Sequence, residues 1–255
     1  MRNSLFKKTI FLVLNLCLST VITKGISDND QTHFTPRLGI SRIYSITDYS
    51  KNTTHLSIQD VLSESKDTNG DTLIEIGIRD SLISKETKIR PLPYTKKVIL
   101  KKDHSIIYLK GQVVSTMKAI IQSKMAGKND EASPKAEDFQ LEENGIIIPS
   151  DLKIGMKLDD YNLRFKLSFI TLKIAITERK VIGKEKISTE VGDFDCYIIE
   201  SFFSSKAMMI SEKVYSKEWY ARGVGLIKSE VYSKNKSELV SSTELISSSK
   251  ILGDF

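Results

Sequence analysis

Residues 161–176 alternate between apolar and polar side chains twice, in opposite phase, and no other stretch constrains the fold as strongly. The odd positions are apolar from Tyr161 to Phe169, and the even positions are apolar from Ile170 to Ile176. A period of two is typical of a β-strand with one buried face. Because a slip of one residue moves every side chain to the other face, we expect a β-bulge or sharp bend at Phe169 and Ile170, in a sheet that curls on itself.

The same alternation recurs along the chain and predicts an all-β fold, either an antiparallel, strongly curved sheet or a barrel-like meander. Asn69 and Gly70 form the turn of an early hairpin. Arg222 and Gly223 form a tight turn between two late strands. The strands that the pattern predicts most clearly lie at 40–49, 55–63, 194–203, 213–221, 224–232 and 238–247.

Residues 112–125 fit two structures. Val113, Met117 and Ile120 have the spacing of one helix face, whereas the density of β-branched side chains favours a strand. We therefore expect a strand, with a short helix near 113–125 as the alternative.

The N-terminus has the composition of a secretory signal peptide. Basic residues precede an apolar run at 9–22, which is shorter than the about 20 residues of a membrane-spanning helix. Cys17 offers a lipidation site, but that processing requires a small preceding residue, and Leu16 is not small. We expect a periplasmic or extracellular protein that is neither lipid-anchored at Cys17 nor an integral membrane protein. The predicted organisation is a signal peptide at 1–25, a flexible lead-in at 26–37, a single antiparallel β domain at 38–249 with a polar loop at 126–144, and a C-terminal tail at 250–255.

The net charge of +6 comes mainly from the predicted signal peptide. Residues 1–25 contain four of the 38 basic residues and no acidic residue, so their removal leaves 34 basic against 32 acidic residues. A chain so close to neutrality lacks the positive surface by which proteins bind nucleic acids.

No pattern of catalytic or metal-binding residues stands out. His33, His55 and His104 lack the spacing of a zinc site, and the acidic turn at 67–71 places its glycine too early for a calcium loop. Cys196 is the only cysteine outside the signal peptide, and its place in an apolar strand favours a small buried side chain over a reactive thiol. We expect no enzymatic activity, no metal and no cofactor.

Three aromatic residues of the predicted strand at 213–221 are the candidate ligand-binding residues. Tyr215 and Trp219 share one face of that strand, and Tyr220 lies on the other. Packing in the core and at its rim is one interpretation. The other is an apolar cavity that holds a lipid-like or small hydrophobic ligand, with Gly225 leaving room for the Trp219 ring.

Three blocks in the C-terminal half resemble the TapB-like family of exported bacterial β domains. They lie at 148–158, 191–197 and 218–230, and the third is the most similar because its aromatic pair, both glycines and the following strand all match. The resemblance implies export and an antiparallel, barrel-like fold, and it implies no activity or catalytic residue. The structural motif that carries it consists of Pro149, Gly155, Gly192, Phe194, Cys196, Gly223 and Gly225.

These observations predict an exported, non-catalytic β domain that binds an apolar, lipid-like ligand or an envelope protein, and no nucleic acid. One alternative is a structural or assembly module of the cell envelope that pairs through its sheet edges. The other is an envelope hydrolase of unrecognised type.

Overall fold

A computed structural model of the chain describes residues 33–35, 37–81, 92–125, 140–167, 170–207 and 209–250. The predicted signal peptide and residues 126–139 of the predicted polar loop lie outside these residues. Within them, thirteen strands form one antiparallel sheet, against which one helix, α1 (Lys110–Met125), packs. The strands are β1 (Ile40–Asp48), β2 (Thr53–Lys66), β3 (Thr72–Asp80), β4 (Tyr94–Leu100), β5 (His104–Tyr108), β6 (Gln140–Glu143), β7 (Ile146–Pro149), β8 (Tyr161–Leu167), β9 (Ile170–Thr189), β10 (Gly192–Ala207), β11 (Ile210–Ala221), β12 (Gly225–Ser233) and β13 (Leu239–Lys250).

The predicted all-β fold is confirmed, and the sheet is a curved meander that does not close into a barrel. Strands β8 to β13 lie side by side in chain order, β1 pairs with β13, and β2 to β5 continue on the far side of β1. The register of the first and last strands places Ile40 opposite Lys250. The short strands β6 and β7 are the two ends of the sheet.

The phase change in residues 161–176 marks a hairpin, and the predicted bulge within one strand is wrong. Leu167 at the end of β8 is opposite Ile170 at the start of β9, and the two residues between them lie outside the described ranges. Each odd-numbered residue of β8 faces an even-numbered residue of β9, as Phe165 faces Leu172. Since opposite residues share a face of the sheet, the change of phase keeps the apolar side chains of both strands on one buried face.

The helix α1 forms where the sequence offered a short helix as the alternative, and the strand expected there is not formed. Val113, Met117 and Ile120 are all buried in the larger core. Burial of this face outweighs the weak preference of β-branched residues for strands. Gly111 allows α1 to approach β4, because a Cβ atom there would lie 2.0 Å from the Thr95 carbonyl oxygen. No helix in the described ranges is long and apolar enough to cross a membrane.

One chain segment, residues 140–149, joins the two ends of the sheet, and we call it the seam. Its first half, β6, pairs with β8, and its second half, β7, pairs with β5. Only Asn144 and Gly145 separate the two halves. Gly145 has a φ of +75°, and a Cβ atom there would lie 2.4 Å from Ile106 Cγ2. The predicted polar loop at 126–144 therefore overlaps a strand of the sheet, Gln140–Glu143.

Arg179 on β9 fixes the seam to the rest of the sheet. Its side chain is buried, and its Nη1 donates to the carbonyl oxygen of Ile147 at 3.1 Å and to that of Asp159 at 2.7 Å. Burial lowers the pKa of this guanidinium. Because Ile147 belongs to β7 and Asp159 precedes β8, one side chain links backbone from both ends of the sheet.

Glu143 links the seam to α1. Its carboxylate accepts hydrogen bonds from the backbone amides of Leu109 and Lys110, each at 3.0 Å, and from the Tyr161 hydroxyl at 2.9 Å. These amides belong to the residue before α1 and to its first residue, where a negative charge is favoured by the helix dipole. The carboxylate thus replaces the capping side chain that the helix lacks in its own sequence.

Two clusters of buried apolar side chains stabilise the sheet. The larger core contains Tyr161, Phe165 and Phe203 together with the apolar face of α1. The smaller core contains Tyr44, Phe194, Cys196, Trp219, Ala221, Ile227 and Leu245.

The described part begins with a packed segment. Phe34 is fully buried, and its ring meets those of Tyr197 and Tyr220 edge-on, at centroid distances of 5.9 and 6.4 Å. The carbonyl oxygen of His33 accepts from the Gly223 amide at 2.9 Å. Residues 33–35 of the predicted flexible lead-in therefore pack on the sheet, and residues 26–32 lie outside the described ranges.

Candidate functional site

The three aromatic residues singled out in the sequence do not meet in one place. Trp219 lies in the smaller core and donates from Nε1 to Glu185 at 3.2 Å, whereas Tyr220 lies in the larger core. Tyr215 is buried elsewhere on β11, and its hydroxyl donates to Glu200 at 2.8 Å. Their positions fit the packing interpretation, because Trp219 and Tyr220 belong to different cores and the Tyr215 ring packs against Phe202 and Tyr232.

The residues of the structural motif lie at turns and in the smaller core. Pro149 ends β7, and Phe194 and Cys196 are buried in the smaller core. Gly225 is opposite Ala221, and Trp219 is opposite Lys228. The φ of Gly225, +89°, is by itself a reason for glycine at this position. Positive φ angles occur at all four glycines of the motif: Gly155, Gly192, Gly223 and Gly225.

His33 and His104 both lie beside the end of β7, whereas Cys196 is buried in the smaller core. The His104 Nδ1 is 2.7 Å from the Asp103 carboxylate, and the His33 Nδ1 is 3.2 Å from the Ser150 hydroxyl. Burial raises the pKa of the Cys196 thiol to about 12, which keeps it protonated at neutral pH. Among the residues that the structure describes, no three His, Cys, Asp or Glu side chains are grouped so that they could hold a metal ion.

An open groove of about 560 Å³ crosses β6, β8, β9, β10 and the start of β11. It lies on the face of these strands that points away from the larger core. Successive side chains of a strand point to opposite faces, so the exposed Lys173 lies between the buried Leu172 and Ile174. The register of the strands arranges the residues of this face in rows.

The first row consists of three cations directly opposite one another, and we call it the cationic row. Arg164 of β8 faces Lys173 of β9, and Lys173 faces Lys206 of β10. Glu142 of β6 faces Arg164 at one end of the row, and Ser211 of β11 faces Lys206 at the other. All five side chains are exposed and line the groove.

The second row lies next to the cationic row and forms the floor of the groove. The third row lies next to the second, farther from the cationic row. Ala175 faces Ser204 in the floor, so small side chains lie beside the cations. In the third row Phe202 faces Tyr215, with ring centroids 5.6 Å apart. Lys213, opposite Ser204 in the second row, has its Nζ 4.1 Å from the centre of the Phe202 ring.

The members of the cationic row are not neutralised within the described part of the chain. Arg164, Lys173 and Lys206 make no ion pair or hydrogen bond there, although Glu142 is directly opposite Arg164. By contrast Lys213, in the next row, is 3.3 Å from Glu178. Like charges directly opposite in a sheet destabilise it, so the row lowers the stability of the fold.

The sequence did not reveal the cationic row, because its members belong to three strands and only the register brings them together. Arg164 and Lys173 are polar positions of residues 161–176. The alternation alone indicates only that such positions lie on the solvated face of a strand. Had the phase change been interpreted as a hairpin, Arg164 and Lys173 would have been placed opposite each other. Lys206 would still have required the register of β10.

A comparison with curated proteins found no match. Two solved structures are similar in fold. A predicted lipoprotein from Parabacteroides distasonis is 18% identical with a TM-score of 0.62, over 87% of this chain and 100% of that chain. A predicted exported protein with a YmcC-like fold from Bacteroides fragilis is 17% identical with a TM-score of 0.60, over 84% of this chain and 97% of that chain. The profile of the DUF3108-like family matches residues 89–245. This match covers more than half of the chain, which therefore belongs to the DUF3108-like family.

Proposed function

We propose that this protein is an exported, non-catalytic binding protein whose groove takes an envelope partner that carries negative charge. The cationic row is the observation that carries this proposal. Opposite strands are about 4.8 Å apart, and each like-charged pair at that distance costs a few tenths to about 1 kcal/mol. Such a cost is small beside a typical stability of about 5–15 kcal/mol, and an anionic partner would reverse it.

Two observations support export. Residues 1–25 have the composition of a signal peptide, and the two similar structures are a predicted lipoprotein and a predicted exported protein. The first of these structures favours a lipid anchor at Cys17, whereas Leu16 before it disfavours one. We propose a protein released from its signal peptide, and labelling with a radioactive fatty acid would detect the anchored alternative.

The groove favours a charged partner over the apolar ligand expected from the aromatic residues. Trp219, Tyr220 and Tyr215 are held in packing contacts. The lining of the groove contains three cations against two carboxylates, those of Glu142 and Glu143, together with hydroxyl groups and small side chains. Assembly through sheet edges has less support, because the end strands β6 and β7 have only four residues each and together form the seam.

The test is site-specific photo-crosslinking in cells that export the protein. A photoreactive residue at Ala175 in the groove floor should form an adduct, and one at Ser45 on β1 should not. Lys173→Glu should abolish the adduct, because it reverses the charge at the centre of the cationic row. Lys234→Glu, in an exposed turn, is the matched control with the same change of net charge. An adduct that survives Lys173→Glu, or that forms equally at Ser45, would refute the proposal.

A further inference from the structure

Arg42 occupies an unusual position in the interior. It lies on β1, is 2% exposed, and is among the largest fully buried side chains of the protein. Its neighbours on the same face of β1 are Ile40, which belongs to the larger core, and Tyr44, which belongs to the smaller core. A charged side chain thus lies between the two apolar clusters.

The hydrogen bonds of Arg42 leave most of its donors unused. Its Nη1 is 3.5 Å from the Tyr44 hydroxyl oxygen, at the outer limit for a hydrogen bond. That hydroxyl itself donates to the Leu226 carbonyl oxygen at 3.3 Å. The buried Nε and Nη2 atoms have no hydrogen-bond partner. A guanidinium has five N–H donors, so its polar edge is unsatisfied in a place that water does not freely reach.

The charge of Arg42 is also uncompensated within the described part of the chain, where no carboxylate forms an ion pair with it. Burial lowers the pKa of the guanidinium to about 9. The group is therefore still protonated at pH 7. A buried cation without a counter-charge is among the costliest arrangements in a folded protein.

We propose that Arg42 is the anchor of an internal anion site, which takes a carboxylate against its Nε–Nη2 edge. These two nitrogens lie along the same edge of the planar guanidinium, and their N–H groups form the fork that binds a carboxylate through two parallel hydrogen bonds. Gln59, directly opposite on β2 and 1% exposed, adds a buried amide beside the site. This site lies in the interior and is independent of the groove.

Two kinds of molecule carry a carboxylate that fits this fork. One is a small free carboxylate such as acetate. The other is the head of an apolar carboxylic acid, whose chain would lie among the apolar side chains that flank Arg42. Acetate and palmitate are the probes that distinguish the two sources.

The experiment measures the thermal unfolding of the purified protein at constant ionic strength, with acetate replacing a bulky sulfonate. A ligand that binds only the folded state raises the midpoint as its concentration exceeds the dissociation constant. We expect this rise in the wild type and its absence in Arg42→Met, which keeps the volume but removes the fork. Native mass spectrometry after incubation with palmitate should show a one-to-one adduct of the wild type alone if the source is an apolar acid.

If Arg42→Met does not fold, Arg42→Lys replaces it in the unfolding experiment. Lysine keeps the positive charge but lacks the fork. It should weaken the acetate dependence at least tenfold. A third measurement, by NMR, needs no variant. The Nε–H signal of Arg42 in the ¹⁵N-labelled wild type is assigned through the contact of Arg42 with Tyr44. This signal should shift on addition of acetate. The proposal is overturned if that signal does not move, or if wild type and variants respond equally to both probes.

Discussion

The seam and the middle of β1 each bury an arginine, and the two arginines differ in what surrounds them. Arg179 donates to backbone oxygens from both ends of the sheet, whereas Arg42 has one long contact and two nitrogens without a hydrogen-bond partner. Both are nearly inaccessible to solvent, at 4% and 2% exposure. Burial of a charge therefore does not identify its role. Arg179 stabilises the seam through the two hydrogen bonds of its Nη1. The two buried nitrogens of Arg42 that have no hydrogen-bond partner are the donors that we propose a ligand uses.

The largest expected effect is that of Arg179→Met. It removes two hydrogen bonds and leaves the carbonyl oxygens of Ile147 and Asp159 without this donor. We expect the free energy of unfolding in urea to fall by about 2–4 kcal/mol, because each buried carbonyl left without its donor costs about 1–3 kcal/mol. Lys180→Met, at the exposed neighbouring position, should change it by less than about 0.5 kcal/mol. A loss below about 1 kcal/mol for Arg179→Met would show that the seam does not depend on this side chain.

Arg42→Met should behave in the opposite way in a buffer without small carboxylates. Because the variant removes a buried charge that the fold does not compensate, stability should be unchanged or rise by about 1–4 kcal/mol. In high acetate the order should reverse, with the wild type the more stable. If Arg42→Met lost as much stability as Arg179→Met in both buffers, the contrast between the two arginines would disappear.

Lys173→Gln extends the comparison to the surface of the sheet. It removes the central charge of the cationic row and should raise the free energy of unfolding by about 0.2–1 kcal/mol at low salt. High salt should erase the gain, because exposed charges are screened. Lys166→Gln is the matched control, since Lys166 is equally exposed but faces Thr171. Equal effects of the two substitutions would mean that repulsion within the cationic row does not lower the stability of the fold.

The smallest expected effect is a pH dependence from Glu143. Burial raises the pKa of its carboxyl above the ordinary value of 4.5, although its hydrogen bonds oppose the shift. Between the two pKa values the folded state binds the proton more tightly than the unfolded state. Stability therefore falls as pH rises through this window. Glu143→Gln should remove this slope, and the exposed Glu142→Gln should preserve it, in urea titrations across mildly acidic pH.

A constant difference in stability between the wild type and Glu143→Gln across that pH range would contradict the expectation. It would mean that the carboxylate is stabilised by the amides of Leu109 and Lys110 as strongly as it is destabilised by burial.

Alternation in the sequence was sufficient to predict the strands and the all-β class, because period two depends only on which face is buried. It does not show where the chain reverses direction between two strands. The hairpin of β8 and β9 and a single bulged strand produce the same phase change, and only pairing partners separate them. For α1, both apolar spacing and β-branched content were visible, and packing against the sheet decided between them.

The two candidate sites were harder to predict for different reasons. On β1 apolar and polar side chains mix on the buried face, where Ile40, Arg42 and Tyr44 follow one another, so the pattern did not mark Arg42 as interior. The cationic row required the register of three strands. Neither site leaves a local motif in the sequence, since each depends on contacts between residues far apart in the chain.

The pairing of β1 with β13 sets the time at which folding is complete. Ile40 must find Lys250, so the second edge of β1 has no partner until the last strand of the chain has arrived. Pairing over such a separation is slow, because a long loop must close before the contact is gained. If the protein is exported as proposed and crosses the membrane from its N-terminus, the pairing of β1 with β13 forms only after β13 has crossed. Until then the unpaired edge of β1 can pair with other chains and aggregate. The compartment in which the protein folds must therefore prevent such pairing.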